Sequence, residues 1–252
     1  MTERFRNFLT STFFMKDIKC LFCDRELDRD TRYCVCDDCL KSLPYITDKV
    51  CAKCGEPIQS LATYCRRCKN SVDRGFDIAR ARFLYNDVIS SAIKDLKYFG
   101  KKYLAEYLSM FLYDVFIAEG FKPDIIIPAP ISQKSLKARG FNQTELLCKS
   151  FIDKGYNVNT TCIIKSLETK NQAGLNFKDR QTNLTGAFKV VDKTAVKNKN
   201  VLVVDDIFTT GATVSEIANA LKKAGAKRVD VVTLCHELPP NAKNWCDLFK
   251  TC

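Results

Sequence analysis

The chain has 252 residues, 46% of them hydrophobic, with a formal net charge of +11, 14 cysteines and a single histidine. That length suits one large domain or two smaller ones with an ordinary core, and no run approaches the roughly 18 apolar residues that span a bilayer. The N-terminus carries Phe5, Phe8, Phe13 and Phe14 without a continuous apolar stretch. Residues 1–19 therefore read as an amphipathic arm rather than a secretion signal, and the expected location is cytoplasmic.

Four Cys-x-x-Cys pairs follow within residues 20–72. Paired cysteines in a chain without a secretion signal read as metal ligands rather than disulfides. The simplest assignment is a double zinc ribbon with two successive ions. Cys20, Cys23, Cys36 and Cys39 would hold the first, and Cys51, Cys54, Cys65 and Cys68 the second. A cross-braced arrangement, in which alternate pairs share an ion, is the alternative, and Cys34 stands close enough in sequence to replace Cys36. Gly55 allows the second knuckle to turn back sharply. Structural zinc supplies about 10–16 kcal/mol of apparent binding energy, enough to fold so small a unit. No ligand set offers an obvious open position, so catalytic zinc is not expected.

From about Gly75 the texture changes, and residues 76–252 read as a second domain. Ile78–Tyr85 is strand-like. Asn86–Phe99 is a predicted helix with Ile89, Ala92, Ile93 and Leu96 on one face, ended by Gly100. Lys101–Glu119 is another helix, closed by Gly120. Ile125–Ile127 is a short buried strand running into Pro128-Ala129-Pro130. Thr144–Lys154 is a helix, and residues 165–186 are polar and aperiodic, a length that is usually functional.

Val201 to Val204 then run straight into Asp205 and Asp206, followed by Thr209-Thr210-Gly211-Ala212-Thr213. Such an apolar run suits a strand buried on both faces of a parallel sheet. Val214, Ile217, Ala218 and Leu221 share one face of the next helix, and Val229–Leu234 reads as the next strand. The result is a βαβ unit with its ligand site at the strand's carboxyl end. Free N–H groups at the helix start and the threonine hydroxyls favour an anion. Two carboxylates beside them can accept hydrogen bonds from vicinal hydroxyls. A pocket for phosphate and a ribose diol together fits phosphoribosyl pyrophosphate (PRPP). The charge agrees: residues 122–200 carry 14 Lys/Arg against 6 Asp/Glu, a field for a polyanion such as pyrophosphate or nucleic acid.

The segment from Val201 to Thr213 resembles the PRPP motif of the type I phosphoribosyltransferases. The cysteine ribbons ahead of it make the whole chain, from about Cys20 to Leu234, resemble the ComF family of bacterial proteins. Ile93-Lys94-Asp95-Leu96-Lys97-Tyr98-Phe99-Gly100, Arg139-Gly140-Phe141-Asn142-Gln143, and Gln172 to Phe188 with Arg180 and Asn183 carry the same resemblance. It implies an α/β domain of type I phosphoribosyltransferase fold, a parallel sheet flanked by helices, behind a small zinc-ribbon domain. Asp205 and Asp206 would hold the ribose hydroxyls. Thr209, Thr210, Gly211, Ala212 and Thr213 would hold the 5-phosphate. Residues 130–140, with Lys134 and above all Arg139, would bind pyrophosphate, since a guanidinium forks onto two phosphate oxygens. Lys97 is a candidate for the same ligand, and Gln172 and Arg180 for a closing loop.

The implied chemistry is Mg²⁺-assisted displacement of pyrophosphate from ribose C1. Members of the family are tied to natural competence, so single-stranded DNA and competence-machinery proteins are expected partners. The alternative is a protein that senses PRPP and binds DNA without turnover. Two departures from the pattern stand out. Lys165 occupies the place where the family often has an arginine, and Thr209 stands where hypoxanthine-type enzymes place an aspartate base. His236 reads as structural.

Overall fold

The computed structural model describes residues 18–27, 31–47, 49–58, 61–70, 74–167 and 186–238. The chain divides into two compact units, one up to Leu43 and one from Pro44 onward. The first is a small cysteine-rich unit. Lys19 bridges Glu26 in antiparallel fashion, and helix α1 (Asp37–Ser42) starts directly after Cys36, whose sulfur caps it, and carries Cys39 in its first turn.

The second unit opens with the second cysteine ribbon, whose last pair places Cys65 just before α2 (Arg66–Asn70) and Cys68 within it. Four parallel strands form its sheet in the order β1-β6-β5-β2. These are β1 (Ala79–Leu84), β2 (Ile125–Pro128), β5 (Asn200–Phe208) and β6 (Arg228–His236). Val201 and Val203 pack in one core with Ile217, Ala218 and Leu221 of α8 (Ala212–Lys223). Leu202 and Val204 point the other way by strand alternation and are buried too. The apolar run is therefore covered on both faces, as its composition predicts.

Helix α3 (Asp87–Tyr98) starts where the Asn86 side chain accepts a hydrogen bond from the Ile89 N–H at 3.0 Å, a cap worth about 1 kcal/mol. It buries Ile89, Ala92, Ile93 and Leu96. Helix α4 (Leu104–Ala118) packs against β1 and β6, with Phe111 edge-on to Phe83 at 5.1 Å and Phe116 edge-on to Phe151 at 5.3 Å.

Three features differ from the sequence reading. The segment after β2 is not a loop throughout. Ser132 accepts from the Ser135 N–H at 3.2 Å and starts α5 (Gln133–Arg139), which ends at Gly140 in the left-handed conformation. The single helix expected over 144–154 is two short ones, α6 (Gln143–Leu146) and α7 (Lys149–Asp153). A small antiparallel pair, β3 (Ile163–Lys165) and β4 (Phe188–Val190), stands where no strand was expected. Three-residue strands show too little alternation to declare themselves. As the sequence reading expects, β5 runs through the aspartates and ends at the Thr/Gly turn. Asp205 pairs in register with Thr233 and Phe208 with His236, so ladder bonding carries the strand through two residues of poor strand propensity.

The second ribbon packs against the α/β core. Cys51, Cys54 and Cys65 lie in one apolar cluster with Phe76, Ala79 and Val229. The Ala79 N–H donates to the Lys53 carbonyl at 2.8 Å. A Cβ on Gly55 would lie 2.7 Å from the Ala79 carbonyl oxygen, so glycine is required there for close approach to β1 as well as for its positive φ.

Candidate functional site

Strands β2 and β5 are parallel neighbours, so their carboxyl ends open on the same side. A cleft of about 1050 Å³ lies there. Lys97, Lys134, Arg139, Asp205, Asp206, Thr209 and Thr213 all line it. Residues more than 100 positions apart in sequence thus meet in one place. Thr210, Gly211 and Ala212 form the intervening turn without lining the cleft. The small sheet contributes Lys165 and Phe188 to the same cleft. Gln172, Arg180 and Asn183 lie outside the described residues.

Burial decides the electrostatics. Asp205 and Asp206 are both nearly buried. The Asp206 Oδ2 lies 2.6 Å from Lys97 Nζ and accepts from Gln143 Nε2 at 3.1 Å. Among the described residues both contacts converge on that one oxygen. Burial opposes the charge on Lys97, but the adjacent Asp206 carboxylate prevails and raises its pKa. Asp205 accepts the Asp206 backbone N–H at 2.9 Å. Burial first, and the Asp206 charge second, push the Asp205 carboxyl up to about 7.

The cations on the rim are held in turn. Arg139 donates to Gln143 Oε1 at 2.8 Å and stacks over the Tyr98 ring at 5.0 Å. Gln143 therefore links Arg139 to Asp206, a connecting role that the sequence reading did not give it. Asn142 beside it caps α6 through the Thr144 N–H at 3.1 Å and donates to the Ala129 carbonyl at 3.2 Å. That bond ties the α6 start to the end of β2. Of the lysines near Arg139, Lys134 lines the cleft and Lys137 does not.

Beneath the turn, Arg67 donates to the Thr209 carbonyl and Arg74 to the Thr210 carbonyl, each at 3.4 Å. Neither arginine stood out in the sequence as part of this site. His236 is fully buried, stacks on Phe208 at 4.7 Å and is pushed down to about 3 by burial and the nearby Arg67 cation. Its Nδ1 lies 3.1 Å from the Glu237 carbonyl oxygen.

The cysteines form two sets of four, Cys20/Cys23/Cys36/Cys39 and Cys51/Cys54/Cys65/Cys68, with the sulfurs of each set within 4.8 Å of one another. The successive pairing is the one adopted, and the cross-braced alternative is excluded. Cys34 belongs to neither set and donates instead to the Lys19 carbonyl at 3.3 Å. Four sulfurs at about 2.3 Å from a tetrahedral zinc stand about 3.8 Å apart. The Cys23–Cys36 and Cys54–Cys65 sulfurs are 3.6 and 3.7 Å apart. Backbone N–H groups of Cys36, Cys39 and Cys68 point at ligand sulfurs, as befits thiolates. Both sets fit a closed structural zinc.

Comparison with known proteins agrees with this geometry. Residues 13–69 match the profile of a double zinc ribbon domain, and residues 159–248 that of a phosphoribosyl transferase domain. Competence protein F of Haemophilus influenzae is 30% identical over 229 residues, covering 85% of this chain and 95% of that protein. The chain belongs to the ComF family. Its ComF relatives include the DNA utilization protein YhgH of Escherichia coli K12, 31% identical over 81% of this chain and 91% of the relative. Competence protein ComFC of Streptococcus pneumoniae is 27% identical over 86% of this chain and 99% of the relative. A solved purine phosphoribosyltransferase of Pyrococcus horikoshii superposes with a TM-score of 0.32 and 18% identity, covering 52% of this chain and 73% of that one. That score is too low to equate individual residues. The family matches and the parallel sheet flanked by helices give the ComF chain the type I phosphoribosyltransferase fold behind a double zinc ribbon. No helix among the described residues is long and apolar enough to cross a membrane.

Proposed function

We propose that the cleft binds PRPP with Mg²⁺ and transfers its phosphoribosyl group, releasing pyrophosphate, in a cytoplasmic protein that serves competence. The observation that carries this reading is the buried Asp205–Asp206 pair near the carboxyl end of β5, shortly before the Thr209–Thr213 turn and lining one cleft with Arg139 and Lys134. The Asp206 Oδ1 and the Asp205 carboxylate accept the ribose hydroxyls. The turn and the first N–H groups of α8 hold the 5-phosphate. Lys134 and Arg139 neutralise the pyrophosphate as the bond from ribose C1 to its oxygen breaks and the electron pair leaves with it. The acceptor supplies the electron pair of the new bond to C1 and gives up a proton. Mg²⁺, when bound, polarises the pyrophosphate oxygens and steadies the developing charge.

Calorimetric titration with PRPP, with and without Mg²⁺, tests the binding. Asp205→Asn/Asp206→Asn should weaken it by about 1.5–3 kcal/mol for each charge-assisted bond lost. Unchanged affinity would remove the acid pair from the site. A PRPP-consumption assay across nucleobases, nucleotides and single-stranded DNA then tests for turnover.

A second reading has its own observation. Tyr98, Phe99 and Tyr103 are exposed large aromatics beside the cationic rim, and Lys102 sits over the Phe141 ring at 4.7 Å. Cations interleaved with exposed rings suit single-stranded nucleic acid, whose bases stack on aromatic faces. Under this reading PRPP is a regulatory ligand and DNA is bound without turnover. PRPP binding without consumption would select it.

A further inference from the structure

We propose that the second cysteine site acts as a brace for the Phe208–Thr213 loop, with Arg67 and Arg74 as the positioning residues that carry its effect to the phosphate end of the cleft. The expected consequence for ligand affinity rests on reading this loop as a PRPP loop; the brace itself does not.

The linkage begins at the sulfurs. Arg67 lies between ligands Cys65 and Cys68, and Glu56 lies two residues after Cys54. An ion held by these cysteines therefore fixes the backbone on both sides of the Arg67–Glu56 pair. Arg67 Nε and Nη2 both donate to Glu56 Oε2, at 2.9 and 2.5 Å, and the pair is largely buried. A guanidinium locked through two of its nitrogens has a defined third direction. Here that direction takes Nη1 to the Thr209 carbonyl. Arg74, itself buried, does the same to the next carbonyl, that of Thr210.

Two consecutive carbonyls are thus drawn toward the ribbon. The peptides are trans and planar, so each C=O and the following N–H point in opposite directions. Holding the Thr209 and Thr210 carbonyls on the arginine side turns the N–H groups of Thr210 and Gly211 away from the guanidiniums. An anion bound at this loop then meets donors, and the carbonyls that would repel it are occupied elsewhere. Gly211 has φ +80, and a Cβ there would lie 2.5 Å from Phe208 Cζ and 3.2 Å from Arg74 Nη1. Loop and brace are therefore in close contact. Phe208 is pinned edge-on to Phe76 at 5.9 Å, and Phe76 shares its apolar cluster with Cys51, Cys54 and Cys65. Packing and hydrogen bonds connect the same two places.

The test uses the full chain with both zinc sites loaded. Hydrogen exchange is followed in peptides covering residues 208–215, beside zinc content and calorimetric PRPP binding. In Arg67→Gln, exchange in that loop should rise by about tenfold with zinc content unchanged, and PRPP affinity should fall by about tenfold. Linkage is reciprocal, so PRPP should slow chelator extraction of zinc from the second site and leave the first unaffected. Arg74→Gln, outside the cysteine spacing, should repeat the loop effect should Arg67→Gln fold poorly. Loop exchange equal to wild type in a zinc-replete variant would overturn the brace. A wild-type chain that binds no PRPP, but whose loop exchange responds to Arg67→Gln, would leave the brace standing and remove the PRPP reading alone.

Discussion

Lys97 at the end of α3 and Asp206 in β5 form a 2.6 Å ion pair that is largely shielded from water. The lysine is 109 residues upstream of its partner. Its presence lets two adjacent buried carboxylates coexist at the bottom of one cleft.

Removing one partner of a shielded pair leaves the other charge uncompensated. Lys97→Met should therefore destabilise the chain by about 2–4 kcal/mol, measured by urea unfolding at pH 8. Lys97→Met/Asp206→Asn should recover much of that loss, because the orphaned charge is gone. Equal destabilisation in the single and double variants would show that Lys97 acts through packing alone.

Asp205 gives the pH dependence its sign. Its folded pKa of about 7 lies above its ordinary value of 3.8, so the folded chain keeps a proton that the unfolded chain has released. Its contribution to stability is complete below about pH 4, is lost as pH rises toward 7, and stays lost above that. Asp205→Asn should accordingly be more stable than wild type at pH 8, by about 1–3 kcal/mol, and should lose the advantage at pH 4. Thermal melts at the two pH values measure this. A ligand that needs the ionised carboxylate should bind wild type more weakly below pH 7.

The two zinc sites should respond differently to loss. Cys51, Cys54 and Cys65 share a core with the α/β unit, whereas the first set belongs to the other compact unit. Cys51→Ser/Cys54→Ser should lower the melting temperature of the main transition, and Cys20→Ser/Cys23→Ser should leave it nearly unchanged. Elemental analysis should find two zinc ions per wild-type chain and one in either variant. A main transition insensitive to the second site would mean that its ribbon folds independently.

Gly211→Ala should be costly at the loop. Its φ of +80 and the 2.5 Å approach to Phe208 predict about 1–3 kcal/mol of lost stability, together with weakened PRPP binding by calorimetry. Near-wild-type values for both would show that the loop relaxes freely.

Single-stranded DNA, if bound by the basic aromatic rim, should dissociate steeply with salt, at a log–log slope of about −0.7 per phosphate neutralised. Tyr98→Ala should weaken it by about 1–3 kcal/mol through lost stacking. Arg139→Ala should weaken both DNA and PRPP, because both polyanions would draw on one cation. Fluorescence anisotropy with a labelled oligonucleotide, with and without PRPP and Mg²⁺, reads all three effects.

Much of this was legible in the residues themselves. The βαβ unit around Asp205 and Asp206 could be read because its signals are local: a β-branched run, a Thr/Gly turn and a helical stripe that agree over 30 residues. The cysteine pairs declared metal sites for the same reason. The short elements could not be read so. α5 and the β3–β4 pair span too few residues for a period to show, and their ladders and caps depend on neighbours distant in the chain.

What the amino-acid order determined by itself was the kind of chemistry: thiolates in fours, an acid pair ahead of an anion-binding turn, and a basic stretch before it. Tertiary structure alone decided which groups face one another. Lys97 and Gln143 meet on one oxygen of Asp206, and Arg67 reaches the Thr209 carbonyl across 142 residues. No periodicity or spacing encodes such meetings, because they arise only when a parallel sheet brings the ends of distant strands to one edge. Burial there then raises Asp205 toward neutrality and turns an exposed-looking acid pair into a shielded, cation-dependent one.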